Sequence, residues 1–172
     1  ILTKLLQFTR RQYPNRPHWI YLRPVPPFAD GDVWNNVGPQ LGLSPDEIHR
    51  GREFEQILGV RDVPYVCFAA RDRSYLTAHL PRLDASYHNY RDWDIRDIDR
   101  SLEYLSLQGI WSLRVGAIVE KEFESDNPMI VDYSWHHRTD FLDIYLLANC
   151  KFFVGDSAGI YFIPQCLGRP FL

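Results

Sequence analysis

The chain of 172 residues is poor in the residues that make strong signatures. It has one methionine, Met129, and three cysteines, Cys67, Cys150 and Cys166. Those cysteines are odd in number, widely spaced and set in apolar surroundings, so they read as core thiols of a reducing compartment and not as a disulfide framework. No run of about 18 apolar residues occurs, which leaves no candidate for a membrane-spanning helix. The start also lacks the charged-then-apolar pattern of a signal peptide. Absent too are a Walker loop and a Gly-x-Gly-x-x-Gly fingerprint. Acidic residues are missing from the first 29 positions, which carry Lys4, Arg10, Arg11, Arg16 and Arg23. That basic start could meet anionic headgroups, although no long amphipathic stretch accompanies it.

What is present describes a globular chain: 45% hydrophobic residues, 24% charged and a net charge of -3. A net negative charge gives no reason to expect nucleic acid as a partner. Aromatic residues reach 15%, enough for a surface that stacks on sugars or bases, though burial accounts for most aromatics. The chain opens on Ile1 and stops at Leu172, where an apolar strand is starting; both ends lead us to expect a fragment.

Residues 1–12 carry an apolar helical stripe that Pro14 ends, and residues 14–27 hold five prolines around the short run Trp19 to Leu22. Ser44, Pro45 and Glu47 combine a hydroxyl cap, proline at the first helical position and a capping-box glutamate, so a helix is expected up to Leu58. Gly59 and the turn Arg61, Asp62 make a boundary. From there strands and helices alternate. Strands are expected at residues 63–70, 111–119, 129–133 and 151–155, with a fifth opening at Pro170. Helices are expected along Ile95, Ile98, Leu102 and Leu105, then at residues 139–150 and 157–167, the last shortened or kinked by Pro164. Apolar strands joined by helices imply a parallel sheet covered on both faces, an α/β Rossmann-like architecture over residues 63–172.

In such sheets ligands bind beyond the carboxyl ends of the strands. Arg71 and Asp72 follow the first strand. A guanidinium at Arg71 can make two hydrogen bonds to a diphosphate, or it can form a surface ion pair with Asp72 or Asp62. Arg114 lies inside an apolar strand and needs an anionic partner, either a structural carboxylate or a ligand phosphate; Gly116 follows it. Asp156, Ser157 and Gly159 lie between a strand and a helix, where small residues and free amides suit a phosphate or simply cap the helix. The stretch from Tyr87 to Asp94, with Arg91, reads as a loop of stacking and hydrogen-bonding groups. His136, His137 and Asp140 have the residue types of metal ligands, but no further ligand completes a set.

These residues together resemble the glycosyltransferases of bacterial surface-polysaccharide gene clusters. The matching positions are residues 65–72 with Ser74 and Tyr75, 88–91 with Asp94 and Ile95, 103–105 with Gly109, and 114–116. They continue through Asp132 and Tyr133, then residues 140–146, 150–153 and 168–170. The resemblance implies a GT-B-like fold whose second domain binds a nucleotide-sugar, with residues 1–62 as the tail of the acceptor domain and the interdomain connection. The strand ending in Arg71 and Asp72 is similar to the arginine motif of fucosyltransferases, whose arginine contacts the donor diphosphate. Residues 157–170 are similar to the donor loop of heptosyltransferase-like enzymes, except that Phe162 stands where those enzymes carry a histidine.

By that resemblance the donor contacts are Arg71, Asp72, Arg91, Arg114, Gly116, Asp156, Ser157 and Gly159. The implied reaction moves a sugar from a nucleotide-sugar to a glycan or lipid-linked acceptor at the inner face of the cytoplasmic membrane, with no metal or other cofactor. No catalytic base is implied, since the acceptor domain would supply it. An epimerase on the same fold and a non-catalytic sugar-nucleotide or glycan-binding module are the alternatives.

Overall fold

The structure is a computed structural model that describes residue 39 and residues 41–82, 84, 86–156 and 158–172. The expected helix at residues 1–12, the proline-rich crossing, the basic start and Ser157 lie outside the described residues. All the described residues belong to one compact unit, Gly38–Leu172.

Helix α1, Pro45–Ile57, begins as its sequence dictates. The Ser44 hydroxyl accepts the Glu47 N–H, and the Glu47 carboxylate accepts the Ser44 N–H at 2.7 Å. Strand β1, Tyr65–Ala69, follows and is buried along its whole length. Helix α2, Ser74–His79, was not expected; Asp72 starts it by accepting the Ser74 N–H at 2.8 Å. Short 3-10 turns at Ser86–Arg91 and Ile95–Ile98 lead into α3, Asp99–Leu107. Strand β2, Trp111–Arg114, is followed by β3, Ile130–Val131, the one-turn helix α4, Tyr133–His136, and α5, Asp140–Asn149. Last come β4, Phe153–Gly155, a 3-10 turn at Gly159–Tyr161 and α6, Phe162–Cys166.

The strands pair in the order β3-β2-β1-β4, every pair parallel, and Phe171 adds a parallel bridge to Phe153 at the outer edge of β4. Apolar strands that a helix must reconnect leave no other arrangement, as the sequence pattern requires. Side chains alternate along β1. Tyr65, Cys67 and Ala69 join a core with Leu142, Tyr145, Leu146 and Phe153 under α1 and α5, while Phe68 joins Ile95, Ile98, Leu102, Phe123 and Ile130 on the opposite face. Helices therefore cover both faces of a Rossmann-like α/β sheet. Each fully buried large side chain, such as Phe68 or Leu102, contributes about 1.5–3 kcal/mol. Cys67 and Cys150 are buried free thiols in the first of these cores.

Several elements are shorter than the sequence implies: β3 keeps two residues of the expected 129–133 and β4 three of 151–155. The strand expected at residues 111–119 ends at Arg114, because Gly116 at φ 151° turns the chain out of the sheet. The helix expected at residues 157–167 is divided into a 3-10 turn and five helical residues, with Pro164 buried inside the second piece.

Helices α1 and α5 pack closely at Gly51. A Cβ at Gly51 would stand 2.0 Å from the Tyr145 ring, so glycine is the residue that lets the two helices approach. Gly51→Ala should destabilise the fold by about 1–3 kcal/mol, read as a lower urea midpoint, because the ring is backed by core and has nowhere to go.

Glu55 on the same helix is buried, accepting the Tyr65 hydroxyl at 3.4 Å and bonding Tyr145, and burial raises its pKa. A raised carboxyl pKa favours folding below the ordinary carboxylate range, and that contribution is lost as pH rises through the folded value. Glu55→Gln keeps the acceptor without the charge. It should raise the melting temperature at neutral pH and leave it nearly unchanged at about pH 4.

Candidate functional site

A cleft of about 610 Å³ opens at the carboxyl edge of the sheet. Its position follows from the strand order: β1 connects outward to β2 on one side and has β4 on the other, so the loops after β1 and β4 diverge and leave a crevice. Ala69 to Asp72 line it from the end of β1 and the loop beyond, Val115 to Val119 from the loop after β2, and Ala158, Gly159, Ile160 and Ile163 from the segment after β4. Arg138, Asp140, Asp143 and Ile144 come from the start of α5, and Arg91 and Tyr75 complete the wall. The Tyr75 ring is half-exposed and stacks on His79 with centroids 4.3 Å apart.

Five of the residues that the sequence singles out therefore share one cleft: Arg71, Asp72, Arg91, Gly116 and Gly159. Arg71 is the most enclosed of them, 9% exposed, with its Nη1 donating to Asp92 Oδ1 at 2.5 Å. Its partner is thus neither Asp72 nor Asp62, and the pair is part-buried instead of lying on the surface. Asp72 is held between two loops, since Oδ1 accepts the Ser74 N–H and Oδ2 accepts the Glu120 N–H at 3.0 Å.

Asp156 works in a different way from the expected phosphate turn. Its Oδ2 accepts the backbone N–H of Arg71 at 3.1 Å and the indole N–H of Trp93 at 2.9 Å. One carboxylate oxygen thereby ties together the loops after β1 and β4 and the loop that carries Trp93, which fixes the floor of the crevice. Burial pushes its pKa up, opposed by these donors.

Arg114 has the structural carboxylate as its partner. Its Nη1 donates to Asp132 Oδ2 at 2.9 Å and to the Lys121 carbonyl at 2.7 Å, with both side chains of the ion pair almost wholly buried. Asp132 also accepts the Phe123 N–H and the Ser134 hydroxyl, so the buried charge is fully partnered. Arg114 is not among the residues lining the cleft. His136 and His137 also serve other contacts: His136 pairs with Glu122 at 2.6 Å and the His137 ring lies 6.2 Å from that of Phe54.

Three more lining residues are Arg138, which the sequence reading did not single out, Asp140, which it grouped with His136 and His137, and Asp143, which it placed only within the matching stretch 140–146. Arg138 Nε donates to Asp143 Oδ2 at 3.0 Å, and its Nη2 donates to Asp140 Oδ1. Burial raises the Asp143 pKa, with Arg138 acting in the opposite direction. The available signal was Thr139 before an acid-rich first turn, which marks a helix start but not the cleft it faces.

No family model, curated protein or solved structure matches this chain. The fold alone does not assign an activity, so the site has to carry the functional reading. Among the described residues, no helix is long and apolar enough to cross a membrane.

Removing one partner of the buried Arg114–Asp132 pair leaves a charge with no compensation. Asp132→Ala should cost about 3–5 kcal/mol in chemical denaturation, a loss that a surface pair would not produce.

Proposed function

We propose that this unit is the donor-binding domain of a GT-B-like glycosyltransferase, one that moves a sugar from a nucleotide-sugar to a glycan or lipid-linked acceptor. The observation that carries the proposal is the cleft itself. It lies at the switch point of a parallel sheet, has the size range of a small-molecule site, and brings Arg71 and Arg91 against a largely apolar lining. Apolar walls take a base and arginines take a diphosphate.

In the reaction, the bond from the sugar's anomeric carbon to the diphosphate oxygen breaks, and the electron pair leaves with the nucleoside diphosphate. An acceptor hydroxyl oxygen forms the new glycosidic bond and gives up its proton to a base that the acceptor domain would supply. Negative charge grows on the departing diphosphate, so fixed cations there lower the barrier. Arg71 is the principal group for this role. Asp92 holds its guanidinium in the cleft wall, where a planar cation suits a diphosphate. Arg91 is the second cation in the cleft, the place that Arg114 was expected to take. Asp156 acts through positioning, by holding the backbone of Arg71. Acceptors on lipid carriers would bring the protein to the inner face of the cytoplasmic membrane.

Calorimetric titration with UDP, GDP and ADP tests the reading. One nucleotide should bind saturably, and Arg71→Ala should weaken it by more than about tenfold, roughly 1.4 kcal/mol. Absence of binding to all three would overturn the donor-site assignment. With the intact protein, sugar transfer to an added acceptor supports the transferase, interconversion of the donor without acceptor supports an epimerase, and binding without turnover supports a non-catalytic module.

A further inference from the structure

A helix that returns from one parallel strand to the next runs opposite to both, so its first turn stands at the carboxyl edge of the sheet. Helix α5 does this between β3 and β4, and Arg138, Asp140, Asp143 and Ile144 consequently line the cleft. The Asp143 side chain is only 8% exposed. Arg138 satisfies Oδ2, whereas Oδ1 is buried with no hydrogen-bond partner, because the Tyr133 hydroxyl that also acts on this carboxylate donates to the Thr139 carbonyl. A buried acceptor left without a donor is destabilising, and native proteins seldom keep one that nothing ever satisfies. The position of Asp143 in the cleft wall makes a ligand the natural source of that donor.

The chemistry of that donor is restricted by charge. Two carboxylates, Asp140 and Asp143, surround the single guanidinium of Arg138, leaving no surplus positive charge for a phosphate. What the pair offers is one open acceptor beside a guanidinium, of whose five N–H donors the ion pairs use Nε and one on Nη2. The complement is a flat polar edge with an N–H next to a carbonyl oxygen. Ile144, Ile160 and Ile163 in the same lining provide the apolar surface that a planar ring needs.

We infer that Arg138 and Asp143 read the base of the bound nucleotide, selecting a ring N–H adjacent to a carbonyl, as in uracil and guanine, over adenine and cytosine. The inference rests on the nucleotide-sugar reading of the cleft. The ring N–H donates to Asp143 Oδ1, and the neighbouring carbonyl accepts from Arg138. With the ring held in the same register, adenine and cytosine set a ring-nitrogen acceptor against the carboxylate; a one-atom shift that brings their amino group to Asp143 would restore a donor, and equal binding of ADP or CDP would report it.

The test is calorimetric titration of the protein with UDP, GDP, ADP and CDP, followed by the N3-methyl form of UDP and the N1-methyl form of GDP. UDP or GDP should bind about tenfold or more tightly than ADP and CDP, and which of them does so identifies the base. Methylation of the ring N–H should remove that advantage in the unaltered protein, a result that requires no variant to fold. Asp143→Asn should weaken the preferred nucleotide by a similar factor while ADP binding stays within about twofold. Equal binding of all four nucleotides, or of the methylated and parent forms, overturns the base reading and leaves the donor cleft standing. So does an equal loss for every nucleotide in Asp143→Asn, the behaviour of a contact to ribose or sugar hydroxyls. If no nucleotide binds at all, the donor-cleft reading falls, and the base reading with it.

Discussion

Strand β1 must be buried on both faces and bonded along both edges, and most of the architecture follows from that requirement. All five of its residues are enclosed, with β2 on one side and β4 on the other. Burying both faces demands two helical layers, which the two apolar cores under α5 and around Leu102 supply. Flanking β1 with β2 and β4 also sends the chain away in both directions from one strand end. The crevice beyond Ala69 is a consequence of that divergence, so the same constraint that stabilises the sheet creates the place where a ligand can enter.

Charge is handled differently on the two sides of this sheet end. Arg114 lies under the surface with Asp132, and three further hydrogen bonds to the Asp132 carboxylate, from the Phe123 N–H, the Ser134 hydroxyl and the Trp135 N–H, leave the pair self-contained. Such a cluster holds the loop after β2 in place and has nothing to offer a ligand. Arg71 and Arg138 also have acidic partners, Asp92 for the first and Asp140 with Asp143 for the second, but both line the cleft. Asp156 supports this arrangement from below: by accepting from the Arg71 backbone and from Trp93, it makes the crevice floor a single hydrogen-bonded piece.

Much of the element order was legible because it depends on local signals. Ser44, Pro45 and Glu47 fix where α1 begins whatever surrounds it. The apolar strands and the helical stripe through Ile98 and Leu102 appear where periodicity places them, whereas the last helix divides at Tyr161 and Phe162 and carries Pro164 inside its second piece. Length was less legible. Residues 115–119 continue the apolar composition of β2, yet Gly116 leaves the sheet and the segment becomes cleft lining. Composition could not separate a buried strand from a partly exposed cleft wall, because both are built from the same apolar residues.

The sequence by itself determined an α/β chain with parallel strands, and it pointed to Arg71, Asp72, Arg91, Gly116 and Gly159 as residues near strand ends. These depend on spacing within a few residues, which the chain carries locally. Only the tertiary structure decided which charges face the cleft. Arg114 meets Asp132 across 18 residues, Arg71 meets Asp92 across 21, and Asp156 reaches Arg71 across 85. No local pattern encodes those distances. Asp143 joins the site for the same reason: its helix is capped by Thr139 next door, but the crevice it borders exists only once β1 and β4 lie side by side.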